Sequence, residues 1–353
     1  MRRLAVAAVV AAVLVAIAGA ALGPRLVRRE VLPAGGDTVD FFEREVTWAQ
    51  GSTLHHGDRS FDVSPLVVHA LRPSRHGIFL QVSDIPAFEE PTRWVLFDGR
   101  RTTSVPGDVD DVAVAPDGEH AGWIDRDGPW RPAGRVAQVV VVDLRTGQRV
   151  LRTSEGMGGG WGDDLAVRYE ELEPTFLGFD EQRAYWRDAT GSGRRWRWDL
   201  TSHDTERAER PQESGEAMTA PVGEPWDPQR GQSVWVAGGR PVDDPSSGER
   251  GFLSPDGRYL VLEPVARVAV TRPADGSRVR LGTDRFAWFG GWLDETHLYA
   301  LTRSHYEDGY DPGKPDRSQG ALVTCALPSG RCATVTPVTG TRSVVLPGAT
   351  HVL

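Results

Sequence analysis

Asparagine is absent from this 353-residue chain, lysine occurs once, at Lys314, and isoleucine only at Ile17, Ile78, Ile85 and Ile124. Arginine stands almost everywhere a basic residue occurs, the mark of a codon bias, so the missing lysines say nothing about chemistry. Cysteine is confined to Cys325 and Cys332. No Gly-x-Ser-x-Gly elbow is present for a serine hydrolase, and no His-x-x-x-His spacing for zinc, so no metal site is expected. The run Gly156-Met157-Gly158-Gly159-Gly160-Trp161-Gly162 lacks the following Lys-Ser/Thr and the helix that a phosphate cradle needs. It reads as a connection, and no cofactor is expected. Positive net charge is lacking too: the formal value is −9, which repels phosphate backbones and anionic headgroups and excludes nucleic acid as a partner.

What is present begins with Arg2 and Arg3, followed by an unbroken apolar run from Leu4 to Leu22. Its length matches the ~20 residues that cross a hydrocarbon core as a helix. Residues 1–23 are therefore expected to be an uncleaved signal-anchor, single-pass, with the rest of the chain outside the cytoplasm. Ala18-Gly19-Ala20 leaves cleavage and secretion as the alternative, while no cysteine follows the run to carry a lipid. Residues 24–44, with Pro24, Pro33, Gly35 and Gly36 and no sustained periodicity, read as a linker. The folded domain is placed at 45–353.

From Glu45 onward no amphipathic stretch is long enough for a helix, but short apolar runs alternate with Gly, Pro, Asp and Ser. Gly77–Val82, Trp94–Phe97 and Val139–Val142 are strand candidates. Val112-Ala113-Val114-Ala115-Pro116-Asp117-Gly118 recurs in kind as Gly251-Phe252-Leu253-Ser254-Pro255-Asp256-Gly257. In Pro-Asp-Gly the proline presets φ and the glycine takes the left-handed conformation, so each copy is a hairpin. Val142-Asp143-Leu144-Arg145-Thr146-Gly147 follows the first copy and Pro273-Ala274-Asp275-Gly276 the second, sketching four strands per unit. Two further units use acidic turns, Phe176–Glu181 and Gly291–Thr296, with Trp196–Leu200 and Leu322–Leu327 as third strands. Another unit is expected over roughly 213–249, around Ser233-Val234-Trp235-Val236.

These motifs resemble the WD-repeat and TolB-like β-propeller families, in which a unit reads apolar strand, Ser-Pro-Asp-Gly, apolar strand, then a strand ending in Asp-Leu-x-x-Gly. The likeness covers most of 66–336. The Trp-Asp of the strict WD repeat is missing, which places the chain nearer the TolB-like pattern. The resemblance implies radial four-stranded blades around a channel. Asp117 and Asp256 stand about three periods of ~40–45 residues apart, so an all-β propeller of seven blades, or else six, is expected. Ser343–Leu346 and His351–Leu353 are expected to complete a blade begun by Val46-Thr47-Trp48.

Cys325 and Cys332 flank a turn, and a disulfide between them is expected, in keeping with an oxidising compartment. A three-residue turn on Pro-Ser-Gly would put the two sulfurs on opposite faces, so the bridge requires an even-numbered loop. His55-His56 reads as ordinary strand or loop residues. The acid-rich loop Ser304–Asp316 lacks the alternating ligand order of a calcium loop, and Asp125-Arg126-Asp127-Gly128 reads as a turn. Asp163, Asp164, Glu170, Glu171 and Glu173 would be the carboxylates of a hydrolase or lyase acting on envelope polymers. Trp130, Trp161 and Trp226 each sit among Gly or Pro in a connection, where a flat ring can meet a ligand, although tryptophans also plug the wedges between blades. The leading expectation is a non-enzymatic, membrane-tethered binding or scaffold module for a protein, peptide or envelope glycan. The envelope hydrolase or lyase is the alternative.

Overall fold

The computed structural model describes residues 31–34, 39–42, 44–84, 92–115, 117–131, 134–158, 169, 174–179, 182–187, 195–208, 233–237, 240–242, 249–262, 268–283, 286–303 and 316–347. The apolar run 4–22 lies outside the described residues, and among those described no helix is long and apolar enough to cross a membrane. Among the described residues, strands assemble in chain order into six antiparallel sheets of four or more strands. Sheet 1 holds Thr47–Gln50, Thr53–His56 and Arg59–Asp62, with Val344–Val345 at its edge. Sheet 2 holds Val67–Ser74, Gly77–Ser83, Arg93–Phe97 and Thr102–Ser104; sheet 3 holds Val109–Val114, His120–Asp125, Gln138–Asp143 and Gln148–Thr153. Sheet 4 holds Thr175–Phe179, Arg183–Arg187, Arg195–Asp199 and Thr205–Ala208. Sheet 5 holds Glu249–Leu253, Leu260–Leu262, Ala269–Thr271 and Arg278–Val279; sheet 6 holds Phe286–Trp292, His297–Arg303, Gln319–Ala326 and Arg331–Thr339.

The two Pro-Asp-Gly copies fold alike. Gly118 and Gly257 both have φ of 70°. Gly118 N donates to Ala115 O at 2.9 Å and Gly257 N to Ser254 O at 2.8 Å, while Ala115 N and Ser254 N close their hairpins on His120 O and Tyr259 O. In the acidic turn of sheet 6, Asp294 Oδ1 replaces the proline's constraint by accepting from the N–H of Thr296 and of His297. Of the unit expected over 213–249, the described residues are the strand pair Ser233–Ala237 and Arg240–Val242, together with Glu249. The strand pair joins Glu249–Leu253 and widens sheet 5 to six strands.

Side-chain alternation explains how the sheets pack. Val112, Val114, Val140 and Val142 of sheet 3 meet Phe79, Trp94 and Leu96 of sheet 2, whereas Ala113, Val139 and Val141 meet Phe179, Trp186 and Trp198 of sheet 4. A strand buried on both faces must read as a continuous apolar run, as Val139-Val140-Val141-Val142 does. Ile78, Leu80, Val95 and Phe97 pack sheet 2 on Ala49 and Leu54 of sheet 1. Phe252 and Val261 of sheet 5 pack on Phe289, Trp292 and Leu298 of sheet 6, and Tyr299, Leu301 and Leu322 of sheet 6 on Val344, Val46 and Trp48 of sheet 1. The last sheet thus returns to the first, which is the β-propeller arrangement. Between sheets 4 and 5 lies the segment 209–232, outside the described residues.

Sheet 1 carries the closure: Val344 and Val345 pair with Gln50 and Ala49, so both ends of the chain build one sheet. His351–Leu353 lie outside the described residues. At the other end, packed structure reaches back into the segment 24–44 expected to be a linker. Leu32 is 2% exposed and Phe41 0%, and Phe42 is buried against sheets 2 and 3.

The disulfide is present, Cys325 to Cys332, with S–S 2.02 Å. The loop it spans is Leu327–Gly330, since Ala326 pairs with Arg331 and Cys325 faces Cys332 directly. An even-numbered loop puts both sulfurs on one face, which resolves the conflict a three-residue turn would create. Closing so short a loop is worth about 2–3 kcal/mol. The double substitution Cys325→Ser, Cys332→Ser is therefore expected to lower stability by about that amount in a denaturant titration. Two reactive thiols in unreduced, unfolded protein would show that the bridge does not form.

Candidate functional site

Up-and-down order gives the ring two unlike faces. First-to-second and third-to-fourth strand hairpins gather on one, called here the turn face. Second-to-third connections and the starts of the first strands gather on the other, the loop face. First strands of neighbouring sheets approach one another, Val344–Val345 to Val67–Ser74, that strand to Val109–Val114, and Val109–Val114 to Thr175–Phe179. They therefore line the axis.

Four of these axial strands are bulged. Register shifts fall at His69 in sheet 2, Asp110 and Asp111 in sheet 3, Leu177 in sheet 4 and Gly290 in sheet 6. A bulge re-aims the side chain it carries. Here it sends the Asp111 carboxylate to the Arg72 guanidinium at 3.2 Å, and Arg72 in turn lies over the Trp94 ring at 5.8 Å. Asp110 goes to Arg126. His69 Nε2 reaches Ser83 Oγ at 2.7 Å.

At the loop face of sheet 3, Asp125 is buried at the end of the second strand. Its Oδ1 accepts from Asp108 N and Asp127 N, and its Oδ2 from Arg152 Nη2 at 3.0 Å. Burial pushes the Asp125 carboxyl above the usual aspartate range, against the opposing pull of Arg152. With both oxygens occupied, Asp125 fastens the entry to the first strand and the turn Asp125-Arg126-Asp127-Gly128. A β-carbon at Gly107 would meet Oδ1 at 2.3 Å, so only glycine passes there. Among the described carboxylates of this face, Asp84, Asp110, Asp125 and Asp127 each face an arginine. The carboxylates of the hydrolase reading, Asp163, Asp164, Glu170, Glu171 and Glu173, lie outside the described residues.

The hairpin Trp130–Arg131 paired with Gly134–Arg135 projects from the loop face between the second and third strands of sheet 3. Trp130 is 73% exposed. Arg135 sets its guanidinium 5.8 Å from the Trp130 ring centre and pairs with Asp127. Arg131 beside it is exposed. The result is a flat apolar ring with one cation against it and a second next in sequence, a surface made to stack and to donate hydrogen bonds. By contrast Trp94, Trp123, Trp186, Trp198 and Trp292 are all buried between sheets, where wedge packing was the alternative expectation for a tryptophan. Trp161 and Trp226 lie outside the described residues. The sequence singled out Trp130 from its setting in Gly128-Pro129-Trp130-Arg131-Pro132. It did not show Arg135 folding back over the ring, which depends on the hairpin register.

His55 and His56 point to opposite faces of their strand. His55 stacks on Trp48 at 3.9 Å, and burial lowers its pKa; His56 is buried with its Nδ1 on Thr47 Oγ1 at 2.8 Å. Among the described residues no group of three or more His, Cys, Asp or Glu is placed to hold a metal ion.

The fold defines the class as a β-propeller. No family model matches the sequence, and no curated protein does. Solved structures overlap it loosely. A putative TolB from Agrobacterium tumefaciens is 12% identical, with 85% of this chain and 91% of that chain covered and a TM-score of 0.36. The β-propeller domain of the Trilobed protease from Pyrococcus furiosus is 11% identical over 77% of this chain and 85% of that one, with a TM-score of 0.40. A puromycin-hydrolyzing peptidase of Mycobacterium tuberculosis is 15% identical over 81% of this chain, with a TM-score of 0.33, and the chain spans 42% of its length. Overlaps this loose carry no argument about activity, and the ring rests on the packing of its own sheets.

Proposed function

We propose that the protein is a membrane-tethered, extracytoplasmic propeller of six blades that binds a protein, peptide or envelope glycan on its loop face without catalysing a reaction. One observation carries the reading: Trp130 is left in solvent on a projecting hairpin while Trp94, Trp123, Trp186, Trp198 and Trp292 are buried between the sheets. A ring of that size in water is an unmet apolar surface, and aromatic anchors of this kind supply most of the energy of an interface. Among the described residues of that face, Asp84, Asp110, Asp125 and Asp127 are each engaged by an arginine, which supports the binding reading. The apolar run Leu4–Leu22 supports the tether.

The test is capture of envelope proteins, peptides and glycans by immobilised full-length protein. Trp130→Ala is expected to weaken retention by about tenfold or more, the effect of losing a hot-spot aromatic. The melting temperature should stay where it is, since exposed substitutions change stability by only about 0.5 kcal/mol. Equal retention by the variant would remove Trp130 from the binding face.

A further inference from the structure

We infer that residues 31–34 and 39–42 act as a strap that turns the ring's turn face toward the membrane and directs the Trp130 face away from it; this orientation rests on the tether proposed above. Its contacts run in reverse order from sheet 3 to sheet 2 and then to sheet 1, which the chain goes on to enter. Val31 N and Leu32 N donate to Gly147 O in sheet 3, Val39 N to Asp98 O and Phe41 N to Ser74 O in sheet 2. Phe41 then packs on His56 and Phe61 of sheet 1. Every one of these acceptors lies in or beside a turn-face hairpin.

The turn glycines are shaped to this path. A β-carbon at Gly147 would stand 2.0 Å from Leu32 O, at Gly118 2.6 Å from the Phe42 ring, and at Gly99 2.3 Å from Val39. Gly257 and Gly276, the corresponding turn glycines of sheet 5, have nothing within 4 Å. The left-handed turns are common to sheets 2, 3 and 5, but at these glycines the strap comes close in sheets 2 and 3 and not in sheet 5. Charge does not offer a rival account of orientation. On the turn face of sheets 2 and 3, among the described residues, Arg75 faces Asp40 and Glu119, His76 faces Glu119, His120 faces Asp117, and Arg101 faces Asp98, so these cations are met by carboxylates rather than left for lipid.

Geometry then sets the arrangement. From Leu22 to Val31 the chain spans at most about 30 Å fully extended, so the turn face of sheet 3 stays within that reach of the bilayer. A strand of the length of His120–Asp125 adds about 20 Å before the loop face begins. Trp130 therefore looks outward, available to material beyond the membrane surface rather than to lipid.

The experiment uses full-length protein in lipid vesicles carrying an energy acceptor on the headgroups, with a donor attached at Arg145→Cys on the turn face or Arg131→Cys on the loop face. Energy transfer is expected to be strong from position 145 and weak from position 131. Equal or reversed transfer overturns the orientation. Gly147→Ala is expected to release the strap and lose the difference, whereas Gly276→Ala, with similar backbone strain (φ of 70° against 66° at Gly147) and no strap above it, should keep it; loss in both variants or in neither also overturns the inference. Failure of the protein to float with the vesicles would sink the tether itself, a result distinct from floating without asymmetry.

Discussion

Removal of residues 342–353 is expected to abolish cooperative unfolding, leaving a chain that melts broadly and is degraded rapidly by protease. Sheet 1 has no first strand without Val344–Val345, which pair with Gln50 and Ala49. Val344 is 1% exposed and Leu346 0%, and both fill the wedge against Tyr299, Leu301 and Leu322 of sheet 6. Each such side chain contributes about 1.5–3 kcal/mol by leaving water. The loss also strips one partner of Gln50, whose amide donates to Ser343 Oγ at 3.1 Å besides Thr339 O and Gly340 O. Tyr299 Oη still donates to Thr47 O at 3.1 Å, but a single hydrogen bond contributes only about 1 kcal/mol net. Against a total stability of about 5–15 kcal/mol, an open wedge and an unpaired axial edge are decisive. Calorimetry and limited proteolysis read the outcome. A truncated chain with a sharp transition near that of the full protein would mean that sheet 1 does not close the ring.

That closure was legible in the sequence because both halves of sheet 1 are short apolar runs beside turn residues. The Pro-Asp-Gly repeats were legible for the same kind of reason: φ at Gly118 and Gly257 is dictated by local chemistry that two copies share. Other features depend on contacts distant in sequence. Leu32, Phe41 and Phe42 are scattered among Pro33, Gly35 and Gly36, so periodicity gives no sign that each enters a core, and only the seats at Gly99, Gly118 and Gly147 reveal it. The bulges at Asp110 and Asp111 escaped notice because a bulge leaves the apolar alternation of Val112-Ala113-Val114 intact and changes only what precedes it. At the candidate site the exposed ring of Trp130 was readable from its prolines, while the pairing of Asp110, Asp111 and Asp125 with Arg126, Arg72 and Arg152 was not, since those partners belong to different strands. Ser233–Ala237 reads as a strand from its apolar residues, but its pairing with Glu249–Leu253 is not legible, because sequence spacing cannot say which sheet edge a strand joins.

Phe41→Ala is expected to destabilise the protein by about 3–5 kcal/mol, the cost of removing a fully enclosed aromatic ring. Phe41 has no exposed surface and touches three aromatic rings, His56 at 5.1 Å, Phe61 at 5.4 Å and Phe97 at 6.2 Å between centres. His56 and Phe61 belong to sheet 1 and Phe97 to sheet 2, so the ring acts as a peg at the junction where the two ends of the chain meet. A cavity there loosens the sheet that closes the propeller, and the lost stability should appear as faster unfolding as well as a lower denaturation midpoint. Trp130→Ala, which removes a larger ring from solvent, supplies the control and should leave both unchanged. If segment 24–44 were a linker, the two substitutions would behave alike. A midpoint for Phe41→Ala equal to that of the parent would return the segment to that role, and with it would go the argument that the ring is held at a fixed attitude to the membrane.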